Sequence, residues 1–172
     1  MAKRAKLPFD PPKAANFRVV EHVKGSANTD FGVPHEIAKR DTAPLSAAEA
    51  KRLAGLVDAA WATFDAVAVA APADLKKGPR GGGRDRDKIV EHVIGADDIY
   101  ARKLGVRTTP PRPGDRVEIK AFRRAVLAAL SKPSKGEPLV EKGWPQRYAA
   151  RRIAWHALDH AWEIQDRSIT GR

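Results

Sequence analysis

Four segments of this sequence carry apolar residues at the three- and four-residue spacing of an amphipathic helix, and turn-forming residues separate them. The first begins at Ser46, which forms a capping box with Glu49, and ends before Pro72. The second begins near Asp85 and ends at 104–105, where a glycine follows the last turn. This periodicity predicts long helices that each bury one face.

A third helix is predicted to begin at Asp115, which with Glu118 forms another capping signal. The fourth begins at about Pro145, and no glycine or proline interrupts it before Arg167. A stiff, proline-rich connection, 106–113, joins the second helix to the third and suits a crossover along the length of a bundle. The predicted fold class is all-α: a four-helix bundle with a long crossover between helices 2 and 3.

The N-terminal segment 1–44 carries no helical period and is predicted to be an extended, irregular arm. Within it, 17–23 could form a short β-strand, and 28–34 is typical of a turn and loop. The expected organisation is therefore an arm over 1–44 followed by a helical bundle over 45–172.

Composition restricts the partners that this chain can have. The net charge is +11, which would suit nucleic acid, but the basic residues are interleaved with acidic ones, as in 84–88, and no RNA-binding or helix-turn-helix signature is present. Nucleic-acid binding is thus an alternative and not the leading interpretation.

The most apolar stretch, 59–73, is too short and too weakly hydrophobic to span a bilayer, and no signal peptide is evident. No membrane association and a cytoplasmic location are expected.

Two histidines in the fourth helix carry the clearest chemical signal. His156 and His160 are one turn apart, so they share a helix face and can offer two nitrogens to one metal ion. His92 lies on the apolar face of the second helix and would complete a three-histidine site if the two helices are neighbours. The chain has no cysteine, so any metal must have nitrogen and oxygen ligands. His22 and His35 are expected at the surface or in the arm.

A separate aromatic stripe also follows the fourth helix: Trp144, Tyr148, Trp155 and Trp162. It is predicted to pack against another helix, the arm or a second subunit. A homodimer is the expected oligomeric state. The histidine face has a simpler interpretation as well, because a buried histidine often only binds a carbonyl or a carboxylate. A third ligand from another helix is what would favour a metal site over that interpretation.

Two stretches, 78–97 and 147–160, resemble the DinB/YfiT-like superfamily, and more narrowly a bacterial subgroup of uncharacterised proteins with the same glycine-rich loop. The resemblance covers about 46–167. It implies a bundle that holds a divalent metal, zinc or nickel, on His92, His156 and His160. It also implies a metal-dependent enzyme that activates water or a low-molecular-weight thiol cosubstrate, as a thiol-dependent transferase or a hydrolase. The alternative is a non-enzymatic metal-binding or dimeric interaction module.

The glycine-rich loop 78–85 matches neither the Walker motif nor the dinucleotide fingerprint. Arg80 and Arg84 flank its glycines ahead of a helix, so the loop could bind an anionic group of a small-molecule substrate. A tight turn with positive φ angles is an equally good interpretation. Asp159 and Glu163 are the candidate catalytic carboxylates, acting as a base or as support for the histidines.

Overall fold

The structure, a computed structural model, describes residues 3–7, 10, 13–78 and 81–168. In these residues the chain is all-helical, with no β-strand and one isolated β-bridge between Leu45 and Ser134. The α-helices are α1 (Ala27–Asp30), α2 (Ala47–Ala70), α3 (Arg86–Lys103), α4 (Arg116–Leu130) and α5 (Gln146–Ser168), and there are two 3-10 turns, Ala14–Asn16 and Lys39–Thr42. The prediction of an all-α chain is confirmed.

The long helices begin and end where local signals in the sequence predicted. The Ser46 hydroxyl accepts a hydrogen bond from the backbone N–H of Glu49, whose carboxylate accepts one from the Ser46 N–H in return. At the start of α4, the Asp115 carboxylate accepts two backbone N–H groups. Gly105 follows α3 with a φ of 78°, the left-handed conformation that glycine adopts most readily. Caps of this kind stabilise a helix by about 1 kcal/mol each.

Helix α5 connects the parts of the core, because it contacts both α2 and α3, while α4 contacts α2. Both α2 and α5 bury many alanines, whose small side chains allow close approach: Ala50, Ala54, Ala59, Ala60, Ala68, Ala149, Ala150, Ala157 and Ala161. Phe64 and Ile153 are fully buried, and each stabilises the core by about 1.5–3 kcal/mol. This packing fixes which face of α5 is directed toward α3.

Gln146 ties the start of α5 to the end of α4. Its side chain is buried, and its Nε2 donates to the backbone oxygens of Ala129 at 3.0 Å and Lys132 at 2.7 Å. Carbonyls at the end of a helix have no partner inside that helix. One buried amide therefore satisfies carbonyl groups that would otherwise be unpaired and positions the helix that carries two of the histidines.

In the N-terminal segment the predicted strand is wrong, and the predicted turn and loop is confirmed only in its later part. No strand forms over 17–23: all seven residues are exposed and irregular, because no neighbouring strand accepts their backbone hydrogen bonds. The turn and loop predicted over 28–34 begin instead with the single turn of α1. There the Ser26 N–H donates to the Thr29 hydroxyl, which in turn donates to the Ser26 carbonyl.

The later part of this segment is attached to α5 by three side chains of the first two helical turns. The Tyr148 hydroxyl donates to the His35 carbonyl at 2.6 Å. Arg147 donates to the Pro44 carbonyl at 2.8 Å, and Arg151 forms an ion pair with the buried carboxylate of Asp41 at 2.5 Å. Tyr148 thus does pack against the N-terminal segment.

Helix α2 contains most of the alanine-rich stretch that the sequence singled out. At 24 residues, with a mean hydropathy of 1.5 over its most apolar window, it is long and apolar enough to cross a membrane. The core helix of a soluble protein passes the same test. Eight residues of α2 are buried inside the protein.

Candidate metal centre

Three histidines from two helices meet where α3 contacts α5. Their closest ring nitrogens all lie within 4.8 Å of one another. The Nε2 atoms of His92 on α3 and His156 on α5 are 3.3 Å apart. The ring centroid of His160 lies 4.8 Å from that of His92 and 4.6 Å from that of His156. The histidines predicted from the sequence are therefore brought together.

The spacing of these nitrogens suits a shared metal ion. Two nitrogens bound to one tetrahedral ion at about 2.0–2.1 Å are about 3.3–3.4 Å apart. The Nε2 atoms of His92 and His156 already have that separation. The same distance also permits a hydrogen bond between the two rings, with the donor set by the tautomer. Three convergent imidazoles without a cysteine form a nitrogen donor set of the kind that binds zinc, nickel or copper.

Electrostatics keep two of the rings in the neutral form that binds metals. The pKa of His156 is lowered to about 3, chiefly by burial and to a smaller extent by the neighbouring His160 and His92. Burial also lowers the pKa of His92, with smaller contributions from His160 and Arg84. At neutral pH both imidazoles are thus uncharged, with lone pairs available to a cation.

A carboxylate orients the third ring. Glu163 lies within 2.8 Å of His160 Nδ1, and a hydrogen bond there places the proton on Nδ1 and leaves Nε2 free as a ligand atom. Arg167 holds the other Glu163 oxygen at 2.7 Å. Arg167 also donates through Nε to the Lys76 carbonyl at 2.9 Å. The chain of contacts therefore runs from the His160 ring to the segment that leads into the glycine-rich loop.

The position of the Arg167 guanidinium depends on the lack of a side chain at Gly83. Gly83 has a φ of 120°, and a Cβ at that position would lie 2.7 Å from the Arg167 guanidinium. Gly78 and Gly81 use their N–H groups inside the loop, donating to Gly82 and Gly78 respectively. These observations favour the tight turn over an anion-binding nest, because two of the loop amides already have acceptors.

The other residues predicted for the site, Arg84, Arg80 and Asp159, differ in their relation to the histidines. Arg84 is exposed, and its positive charge contributes to the lowered pKa values of both His92 and His156. Arg80 lies outside the described residues. Asp159 is half-buried and makes no hydrogen bond or ion pair with any described residue, so Glu163 is the carboxylate that the structure brings to the histidines.

Several residues near the centre were not predicted as part of it. Arg167 is recognisable in retrospect, since it follows Glu163 by four residues. Tyr100 stacks against Trp144 at 5.2 Å and meets the edge of His156 at 5.6 Å. The only sequence signal for that contact is the place of Tyr100 on the helical face that carries His92. Trp162, expected to pack, is 61% exposed.

A well-defined cleft lies elsewhere. It has a volume of about 1070 Å³, and residues of α2, α3 and α4 line it, among them Phe64, Val90 and Leu127. None of the three histidines lines this cleft. The histidine cluster is therefore a partly buried centre that is separate from this cleft.

Comparison with protein-family models, curated proteins and solved structures finds no match to this chain. The convergence of the three histidines thus rests on the structure alone. The family resemblance that the motifs suggest stays a prediction.

Proposed function

We propose that this protein is a metal-dependent enzyme of the DinB/YfiT-like type, with a divalent ion held by His92, His156 and His160. The observation that carries the proposal is the convergence of their ring nitrogens within 4.8 Å of one another, from two separate helices. Three protein ligands leave a further coordination position, which is typical of catalytic rather than structural zinc sites.

The residues around the cluster have distinct roles in this proposal. A divalent ion there would supply Lewis acidity for the activation of water or a thiol. His160 is kept in one tautomer by Glu163, so Glu163 is a positioning residue and its carboxylate is already engaged. Asp159, which has no partner among the described residues, remains the candidate base, and Arg84 the candidate for orienting an anionic substrate.

Zinc or nickel is the proposed ion, since imidazole nitrogen suits both. The proposed reaction class is a thiol-dependent transferase or a hydrolase, with a low-molecular-weight thiol as a possible cosubstrate in the first case. This part of the proposal rests on the resemblance of 78–97 and 147–160 to the superfamily, and on the absence of a cysteine that could serve as the chain's own nucleophile.

Metal content is the direct test. Protein purified without a histidine tag should contain about one equivalent of zinc or nickel by elemental analysis, and His156→Ala should lose most of it. His22→Ala is the matched control, because His22 is exposed and lies outside the cluster. Equal metal content in His156→Ala and wild type would overturn the three-histidine site.

A second comparison tests the role of Glu163. Glu163→Gln should weaken metal affinity by about 10–100-fold, since partners that orient a ligand commonly contribute that much. Asp159→Asn is the matched control and should leave metal affinity unchanged, because Asp159 does not bind a histidine ring in the described structure. Competition with a chromogenic chelator measures both variants.

The arrangement of the helices belongs to the same proposal. We infer a four-helix bundle of α2 to α5 with a crossover between α3 and α4, and an N-terminal arm over 1–44. The contacts of α5 with α2 and α3, and of α2 with α4, support this arrangement. A homodimer in the cytoplasm is the proposed state, and light scattering coupled to size exclusion measures the oligomer directly.

A further inference from the structure

One arginine beside the histidine cluster has no acceptor for its hydrogen bonds. The Arg152 guanidinium lies 4.7 Å from the ring centroid of Trp155 and 5.4 Å from that of Tyr100, so two aromatic rings hold it. Its Nη1 is buried and has no hydrogen-bond partner. Among the described residues, it is the only arginine that combines a buried guanidinium nitrogen with no hydrogen bond at all.

Two neighbouring arginines on α5, unlike Arg152, have hydrogen-bond acceptors and ion-pair partners. Arg147 donates to the Pro44 carbonyl and forms an ion pair with Glu49. Arg151 donates to the Glu36 carbonyl and forms an ion pair with Asp41. Leaving a charged donor buried without an acceptor costs more than leaving a neutral one, and such groups normally have a partner. Arg152 Nη1 is therefore a charged donor without an acceptor in the described chain, and a ligand would reach it by displacing the side chains that cover it.

Its position relates it to the histidines. Arg152 precedes His156 by four residues on α5, which places both on one face of the helix. The positive charge of Arg152 contributes to the lowered pKa of His156. Tyr100, one of the two rings that hold the guanidinium, also meets the edge of His156. A group bound to Arg152 would thus lie next to the cluster.

We propose that Arg152 is the recognition residue for the carboxylate of a small-molecule ligand that binds beside the three histidines. A planar guanidinium fork matches the two oxygens of a carboxylate. The single charge of Arg152 also matches a monoanion better than a phosphate dianion, which commonly recruits several donors. Tyr100 and Trp155 border this position with aromatic surface, and Trp144 packs against Tyr100, so an aromatic or apolar body attached to the carboxylate fits best.

One part of this inference rests on the proposed function, namely that the ligand bound by Arg152 is the substrate of the metal centre. Binding of the carboxylate to Arg152 itself needs no metal. The two proposals can therefore fail separately, and the experiment is run on both chelator-treated and zinc-loaded full-length protein.

Benzoate and benzamide form a matched pair of probes, because they share shape and differ in charge. Titration of wild type with benzoate should change the tryptophan fluorescence, since Trp155 stacks on the guanidinium, and benzamide should bind at least about tenfold more weakly. Arg152→Gln should lose benzoate binding by a similar factor. Arg124→Gln is the control, because Arg124 is exposed on α4 and forms no ion pair among the described residues.

Several outcomes would overturn this inference. They are the absence of any response of wild type to benzoate, equal binding of benzamide, unchanged benzoate binding in Arg152→Gln, and tighter binding of inorganic phosphate than of benzoate. Arg152→Lys keeps the charge but not the fork, so weakened binding there supports recognition by the fork even if Arg152→Gln is unfolded. Loss of zinc binding with intact benzoate binding would count against the proposed function alone.

Discussion

Asp97 is a buried carboxyl group whose ionisation should weaken the folded protein. It lies on α3 with 3% of its surface exposed, and its Oδ1 makes no hydrogen bond. Burial raises the pKa of Asp97 from 3.8 to about 7, against the opposing effect of the Arg123 charge. Asp97→Asn keeps the size of the side chain and removes the ionisable group. We expect this variant to be more stable than wild type at alkaline pH.

The magnitude follows from the two pKa values. Below a pH of about 4, Asp97 is protonated in both the folded and the unfolded protein and does not affect stability. Between about 4 and 7 only the unfolded protein loses this proton, so wild-type stability falls as the pH rises. The shift from 3.8 to about 7 corresponds to about 4 kcal/mol of unfolding free energy. The advantage of Asp97→Asn should grow by up to that amount between a pH of about 4 and 8.

Urea unfolding followed by circular dichroism measures this difference at each pH. The chelator EDTA is included, so that both proteins share the same metal-free histidine titrations and these cancel in the difference. Asp58→Asn is the control, since it removes a carboxyl group that is exposed on α2. An Asp97→Asn advantage that is equal at acid and alkaline pH would refute the role of burial.

Four further substitutions test the packing and the caps by urea unfolding. Gly136→Ala should destabilise by more than about 2 kcal/mol, because its Cβ would overlap the Thr42 carbonyl; unchanged stability would contradict that contact. Gly95→Ala meets nothing within 4 Å inside α3 and should instead stabilise by about 0.5–1 kcal/mol. Ser46→Ala should cost about 1 kcal/mol through the lost cap, and a neutral result would show that the cap is dispensable. Gln146→Leu should cost about 1–3 kcal/mol by leaving buried carbonyls unpaired, unless water replaces the amide.

Helix boundaries were predictable because the signals that set them are local. Ser46 and Asp115 cap the backbone within three residues of themselves, and Gly105 ends α3 by its own conformation. The segment 17–23 shows the opposite case. Its β-branched and aromatic residues suit a strand, but a strand exists only if a partner accepts its hydrogen bonds, and none is provided.

The candidate site was predictable in its ligand set and in the carboxylate that orients His160. The four-residue spacing of His156 and His160 is visible in the sequence, and His92 followed from the apolar face of its helix. The preference for Glu163 over Asp159 also follows from local spacing, because Glu163 lies three residues after His160 on the same helix face, whereas Asp159 is its immediate neighbour. The stacking of Arg152 between two aromatic rings requires contacts across helices, which periodicity does not describe.

The pairing of α2 with α5 has a consequence for synthesis on the ribosome. The partner of α2 is completed about 5–20 s later, since roughly 100 residues must be added at about 5–20 residues per second. During that interval an alanine-rich helix with a mean hydropathy of 1.5 lacks the surface that covers it. We therefore expect ribosome-associated chaperones to bind the nascent chain in this state. The histidine cluster, which needs α5, can form only when that exposure ends.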